Sequence, residues 1–137
     1  MAHGRGPYEN YPDRELSQHI GDYSMPLRDF MADYVRPQDN ANRCDVRWLT
    51  LSSASGIVRI SGLLPLCFRV WAYTEEELDK QPRHPRDISK CGYVNLNIDS
   101  DIHGVGGTDS WGAKTLPRYT IDGNKPHSYA FIMEMGQ

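Results

Sequence analysis

The chain of 137 residues has no surplus of positive charge: 15 Lys and Arg stand against 18 Asp and Glu, for a net charge of −3. Without that surplus little is available to neutralise a run of phosphates, so nucleic acid is not expected as a partner. No apolar run approaches the roughly 18 residues a membrane span requires, and no apolar segment follows a basic start at the N-terminus. The expectation is a soluble protein with no membrane partner and no export signal, its compartment, cytoplasmic or periplasmic, left open. Cysteine is scarce. Cys44, Cys67 and Cys91 form no CxxC pair and no ligand spacing with histidine, so buried free thiols are expected rather than a metal site or a nucleophile.

The motifs that announce catalysis are missing as well. The sequence holds no GxSxG elbow, no P-loop, no HExxH and no dinucleotide-binding GxGxxG. Gly104-Val105-Gly106-Gly107 imitates a phosphate loop but opens no helix, and Ser110-Trp111-Gly112 carries no lysine. Asp99-Ser100-Asp101-Ile102-His103-Gly104 begins like a calcium loop, yet Ser110 stands where the bidentate glutamate belongs. The histidines His3, His19, His84, His103 and His127 are dispersed, and Glu75, Glu76 and Glu77 are consecutive, so on a helix they point in different directions. No catalytic residue, metal ligand or cofactor site is expected in this chain.

What is present is a chain of strands. A length of 137 residues suits one domain, which commonly holds about 100 to 200. Residues 1–42 are dense in Pro, Asp, Asn and Tyr and read as mostly extended or loop. Leu27, Phe30, Met31 and Tyr34 are spaced for a turn or two of helix that Pro26 and Pro37 confine. Beyond Asp45, β-branched and aromatic residues recur in six short runs: 46–51, 57–60, 66–73, 93–98, 118–121 and 129–135. Alternation of Phe68, Val70 and Ala72 with Arg69, Trp71 and Tyr73, like that of Val94, Leu96 and Ile98 with Asn95 and Asn97, predicts one buried and one wetter face. Thr74 followed by three glutamates predicts a short helix through about Lys80, with Thr74 as cap and Glu77 bonding back. Residues 121–126 supply turn chemistry between the last two predicted strands. Strands at short spacing without alternating long helices point to an antiparallel β-sandwich.

The most unusual feature is the loop from Ile102 to Gly112, rich in glycine and ending on Trp111. Glycines let a backbone approach its surroundings closely, so such a loop can hold a side chain rigidly at a rim. An indole there offers a large apolar face and one N–H donor, which suits the C–H face of a sugar. A buried core tryptophan is the alternative for Trp111, and it is the favoured reading for Trp48 and Trp71, which lie within strands.

Three segments carry a family resemblance. Gly104-Val105-Gly106-Gly107-Thr108-Asp109-Ser110-Trp111, preceded by Asn97-Ile98-Asp99, resembles the C-terminal signature of the large bacterial β-galactosidases of glycoside hydrolase family 2. Gly6-Pro7-Tyr8-Glu9-Asn10-Tyr11-Pro12-Asp13-Arg14 resembles another signature of their last domain, and Tyr34-Val35-Arg36-Pro37-Gln38-Asp39-Asn40, with Arg43 and Arg47, a third. The three occur in the family's order and span the sequence from about Gly4 to Met135. Thr108 departs from a frequent acidic residue and Ala41 from a frequent glycine.

The resemblance implies that residues 1–137 are a single-domain fragment, the second half of the C-terminal, small-chain-like domain. Its fold would be an all-β, galactose-mutarotase-like antiparallel supersandwich, present in part, with one or two short helices. It further implies hydrolysis of terminal non-reducing β-D-galactose residues by the parent protein, with two glutamates on a separate barrel doing the retaining chemistry. Magnesium, and with it sodium, would be bound in other domains, and this fragment alone would be inactive. Carried over, Trp111 is the sugar-contacting residue, with Gly104, Gly106, Gly107, Asp109 and Ser110 as the loop that supports it. The expected partners are the remaining domains of the parent and a β-galactoside, with self-association of the isolated fragment through uncovered strand faces. Two other functions fit less of the sequence: an autonomous lectin-like sugar-binding module, and an aldose epimerase, which would need a carboxylate and histidines converging in a cleft.

Overall fold

The computed structural model describes residues 1–136. They form one antiparallel sheet of six strands: β1 (Ala2–Gly6), β2 (His19–Tyr23), β3 (Arg43–Ser53), β4 (Gly56–Trp71), β5 (Asn95–Asp99) and β6 (Phe131–Gly136). The spatial order is β2-β1-β3-β4-β5, with β6 also paired to β4. Strand β4 organises the sheet. One edge pairs with β3; along the other, Ile57 to Gly62 pair with β6 and Cys67 to Trp71 with β5. The interval between these two ladders holds Pro65, which has no N–H to give and is tolerated where no partner strand needs one. The runs 57–60 and 66–73 are therefore parts of one strand rather than two.

An all-β, antiparallel architecture with few short helices is what the sequence implied, although the strands are distributed differently. Residues 1–42, expected to be mostly extended or loop, contribute β1 and β2, while 118–121 is not a strand, because Pro117 opens a 3-10 turn over Pro117–Tyr119. The turn at 121–126 forms, with the Lys125 amide donating to Asp122 O at 3.2 Å, but it joins that 3-10 turn to β6. The confined helix after Pro26 shortens to a 3-10 turn, Leu27–Asp29. Helix α1 (Glu75–Asp79) follows Thr74 as expected, yet the Thr74 side chain makes no capping bond. The Glu77 carboxylate is instead taken by Lys80 and by the Ser89 amide.

The core lies on one face of the sheet. Val46, Leu49, Ile60, Leu66, Phe68 and Val70 are buried together, and Ala2, Leu27, Phe30, Leu51, Val58, Leu96 and Ile98 pack against them. This face remains partly open as an apolar groove of about 490 Å³ bordered by Leu27, Val46, Leu49, Val58, Phe68 and Val70. The sheet is thus one layer with one apolar face, as a layer of a sandwich would be. Along β4 and just beyond it, the expected wet face is covered too. Trp71 is 0% exposed and stacks on Tyr73 at 4.9 Å between ring centroids, with the Arg69 guanidinium 5.0 Å from its ring. Trp48 is half-buried, held between His3 and the Arg59 guanidinium.

Candidate functional site

The three motif segments meet in space. Asn10, fully buried, joins the Gly6–Arg14 segment to the stretch that follows Tyr34–Asn40: its amide donates to Asn42 O at 2.9 Å, and its Oδ1 accepts from the Cys44 amide at 2.9 Å. Asn42 Nδ2 returns a bond to Asn10 O at 2.8 Å. Glu9 accepts from the Ala41 amide at 2.8 Å and from the Tyr34 hydroxyl. That hydrogen bond, with burial, pushes the Tyr34 hydroxyl up to about 12. Arg43, only 4% exposed, donates to Pro7 O, Ala41 O and Phe30 O and lies 4.0 Å from the Phe30 ring centroid. Burial lowers its guanidinium to about 10, with Glu9 and Tyr11 opposing. A buried cation persists here because its donors are satisfied and carboxylate charge stands close.

The Gly6–Arg14 segment also reaches the glycine loop. The Asp13 carboxylate, whose side chain is 6% exposed, accepts from two successive amides, Val105 at 3.1 Å and Gly106 at 2.7 Å. Arg14 donates to Gly106 O and stands 3.7 Å from the Asp13 carboxylate. Burial alone would raise the Asp13 carboxyl, but the two amides and Arg14 outweigh it and hold it below its ordinary value. Across the loop, Thr115 Oγ1 donates to Gly104 O at 3.0 Å and the Gly104 amide to Tyr119 O at 2.8 Å.

Glycine is required at two points of this clamp. A Cβ on Gly104 would stand 2.9 Å from both the Asp13 carboxylate and the Thr115 methyl, so the loop could not seat against either. Gly106 has φ of +69°, a left-handed conformation that other residues adopt only with strain. Gly107 is exposed and follows it with φ of +76°. The tip is then tied to itself: Asp109 Oδ1 accepts from the Trp111 amide at 2.8 Å and the Ala113 amide at 3.1 Å. Ser110 is exposed beside it in sequence.

Trp111 ends 93% exposed, so the reading of it as a core tryptophan is overturned. A large apolar ring carried in solvent on a loop held at its base can serve as a flat platform for an amphipathic ligand. Asp13 was not among the residues singled out for the loop, because its contacts cross 92 and 93 residues of sequence. The only signal for it was its place in the Gly6–Arg14 motif.

Among the described residues no group of three or more His, Cys, Asp and Glu is placed to hold a metal ion. Cys44 and Cys67 are buried free thiols with their sulfurs 3.4 Å apart; Cys91, expected to be buried as well, is half-exposed because it lies in the loop before β5. No helix among the described residues is long and apolar enough to cross a membrane.

Comparison with known proteins bears on the same segments. A family model described as beta galactosidase small chain matches residues 3–133. The chain is similar to the beta-galactosidase of Aeromonas hydrophila, 39% identical over 118 residues, which cover 86% of this chain and 11% of the relative. The beta-galactosidase of Priestia megaterium is 32% identical over 133 residues, covering 96% of this chain and 13% of the relative. That of Vibrio cholerae is 35% identical over 124 residues, covering 90% and 11%. The chain thus spans about one eighth or less of the length of these relatives.

Proposed function

The chain belongs to the beta-galactosidase small chain family, and from that premise we propose that it is a non-catalytic part of the C-terminal domain of a β-galactosidase, contributing Trp111 to the mouth of the active site. The parent would hydrolyse terminal non-reducing β-D-galactose residues, using carboxylates, and magnesium and sodium, carried by its other domains. The observation that supports this reading is the exposed indole of Trp111 on a loop fixed at its base.

Such a platform binds the apolar face of a galactose ring by dispersion and C–H contact with the indole. Because the loop is fixed before the sugar arrives, little ordering cost falls on binding, and the ring is held at one angle to the catalytic groups. The apolar groove over Val46, Leu49, Phe68 and Val70 is the face that would receive the remaining domains of the parent.

The purified chain, titrated with lactose and galactose while tryptophan emission and β-galactoside hydrolysis are followed together, tests this directly. The expected result is no hydrolysis and binding no tighter than millimolar. Hydrolysis by the chain would reveal an unrecognised catalytic pair, and tight saturable binding without hydrolysis would establish an autonomous sugar-binding module instead.

A further inference from the structure

We propose that Asp13 is a positioning residue for Trp111: by accepting from the Val105 and Gly106 amides it fixes the base of the loop, and so sets where the indole stands when a sugar binds. The inference rests on the reading of Trp111 as a sugar contact and adds to it a residue from the other end of the chain.

The indole itself supplies no anchor, since at 93% exposure it packs on little of its own domain. Its position is therefore inherited from the backbone that carries it. That backbone has a rigid tip, with Asp109 bound to the Trp111 and Ala113 amides, and a base at Gly104 to Gly106. Between them Gly107, at φ of +76°, offers no side chain to pack.

At the base, Asp13 gives each of its two oxygens to one of two successive amides. Bonds from amides to an ionised, nearly buried carboxylate are stronger than those between neutral groups. The ties from Thr115 and Tyr119 reach Gly104 alone, so Val105 and the Gly106 amide have Asp13 as their acceptor. Neither Asp13 nor this loop belongs to the apolar core over Val46, Leu49, Ile60, Leu66, Phe68 and Val70. The clamp therefore holds the loop, and its loss would leave the sheet in place.

The test is a double-mutant cycle in the intact β-galactosidase polypeptide that carries this chain, with Asp13→Ala, Trp111→Ala and the pair, reading KM and kcat on lactose. Asp13→Ala is expected to raise KM about fivefold or more while leaving the thermal midpoint within a few degrees. In the Trp111→Ala background the same change should alter KM by less than about twofold, because the platform it positions is gone. Asp13→Asn, which keeps one acceptor oxygen, should fall between wild type and Asp13→Ala. An equal effect of Asp13→Ala in both backgrounds, or no effect on KM where Trp111→Ala has one, overturns the inference while the sugar-contact reading stands. If Trp111→Ala itself leaves KM unchanged, that reading fails, and the clamp is then judged by hydrogen exchange over residues 102–112. Faster exchange in Asp13→Ala sustains the clamp, and unchanged exchange ends it.

Discussion

The Asp13 carboxylate accepts a 2.7 Å hydrogen bond from the Gly106 amide across 93 residues of sequence. This contact joins a motif near the N-terminus to the loop that ends on Trp111. Asn10 and Asn42 join the same motif to the segment before β3 in the same manner. The Gly6–Arg14 motif is thus hydrogen-bonded to both of the others.

The contact has a pH signature. Although burial would raise it, the Asp13 carboxyl is held below its ordinary value of 3.8 by Gly106, Val105 and Arg14. A carboxyl depressed in the folded state lends its full stabilisation above the unfolded value and loses it as pH falls through the folded one. The amide proton shifts of Val105 and Gly106 should therefore titrate together, with a midpoint below 3.8. A midpoint at or above that value would contradict the clamp as described.

The three thiols should separate by reactivity. Cys44 and Cys67 are buried, and donation to the Cys44 sulfur together with burial pushes the Cys67 thiol up. The bond from Cys67 lowers the Cys44 thiol, but its sulfur is buried away from any reagent, so the native chain is expected to react with an aromatic disulfide reagent at Cys91 alone, and at all three after unfolding. Rapid native modification of Cys44 or Cys67 would show that the β3–β4 pairing around them opens readily.

Stability should depend most on the centre of β4. Ile60, 0% exposed, pairs with Leu49 on β3 and with Met133 on β6. Ile60→Ala removes buried methyl groups at a site flanked by backbone on both sides, with an expected cost of about 2–5 kcal/mol. Urea unfolding measures it, and a loss below about 1 kcal/mol would mean the core face is loosely packed.

The open apolar face predicts self-association of the isolated chain. Phe131, Ile132, Met133 and Met135 on β6 are exposed along with Leu63 and Leu64, and the groove lies open as well. Light scattering should show mass rising with concentration, and Ile132→Lys should reduce it, since a charge on an edge strand opposes pairing. A compact monomer at every concentration would contradict this.

Much of the fold was legible because β-branched and aromatic runs mark strands, as at Val46 to Leu51, and period-2 alternation marks a buried face, as at Leu66, Phe68 and Val70. Strands β1 and β2, Ala-His-Gly-Arg-Gly and His-Ile-Gly-Asp-Tyr, escaped because glycine and polar residues carry no such signal. Residues 118–121 misled for the opposite reason: their composition suits a strand, but Pro117 sets the backbone. At Ala41 the departure from glycine coincides with φ of +68°, a conformation that explains why glycine is common there, though spacing gave no hint of it. The Trp111 loop showed itself through its glycines. Its anchor did not, because nothing local marks a contact between Asp13 and Gly106.

The central claim is that Trp111 contacts sugar, and the most direct measurement is lactose kinetics of the intact β-galactosidase with Trp111→Phe and Trp111→Ala. Loss of the indole platform should lower kcat/KM about tenfold for alanine, chiefly through KM, with phenylalanine restoring part of it. Unchanged kcat/KM and KM in both variants would show that this exposed indole serves something other than the substrate.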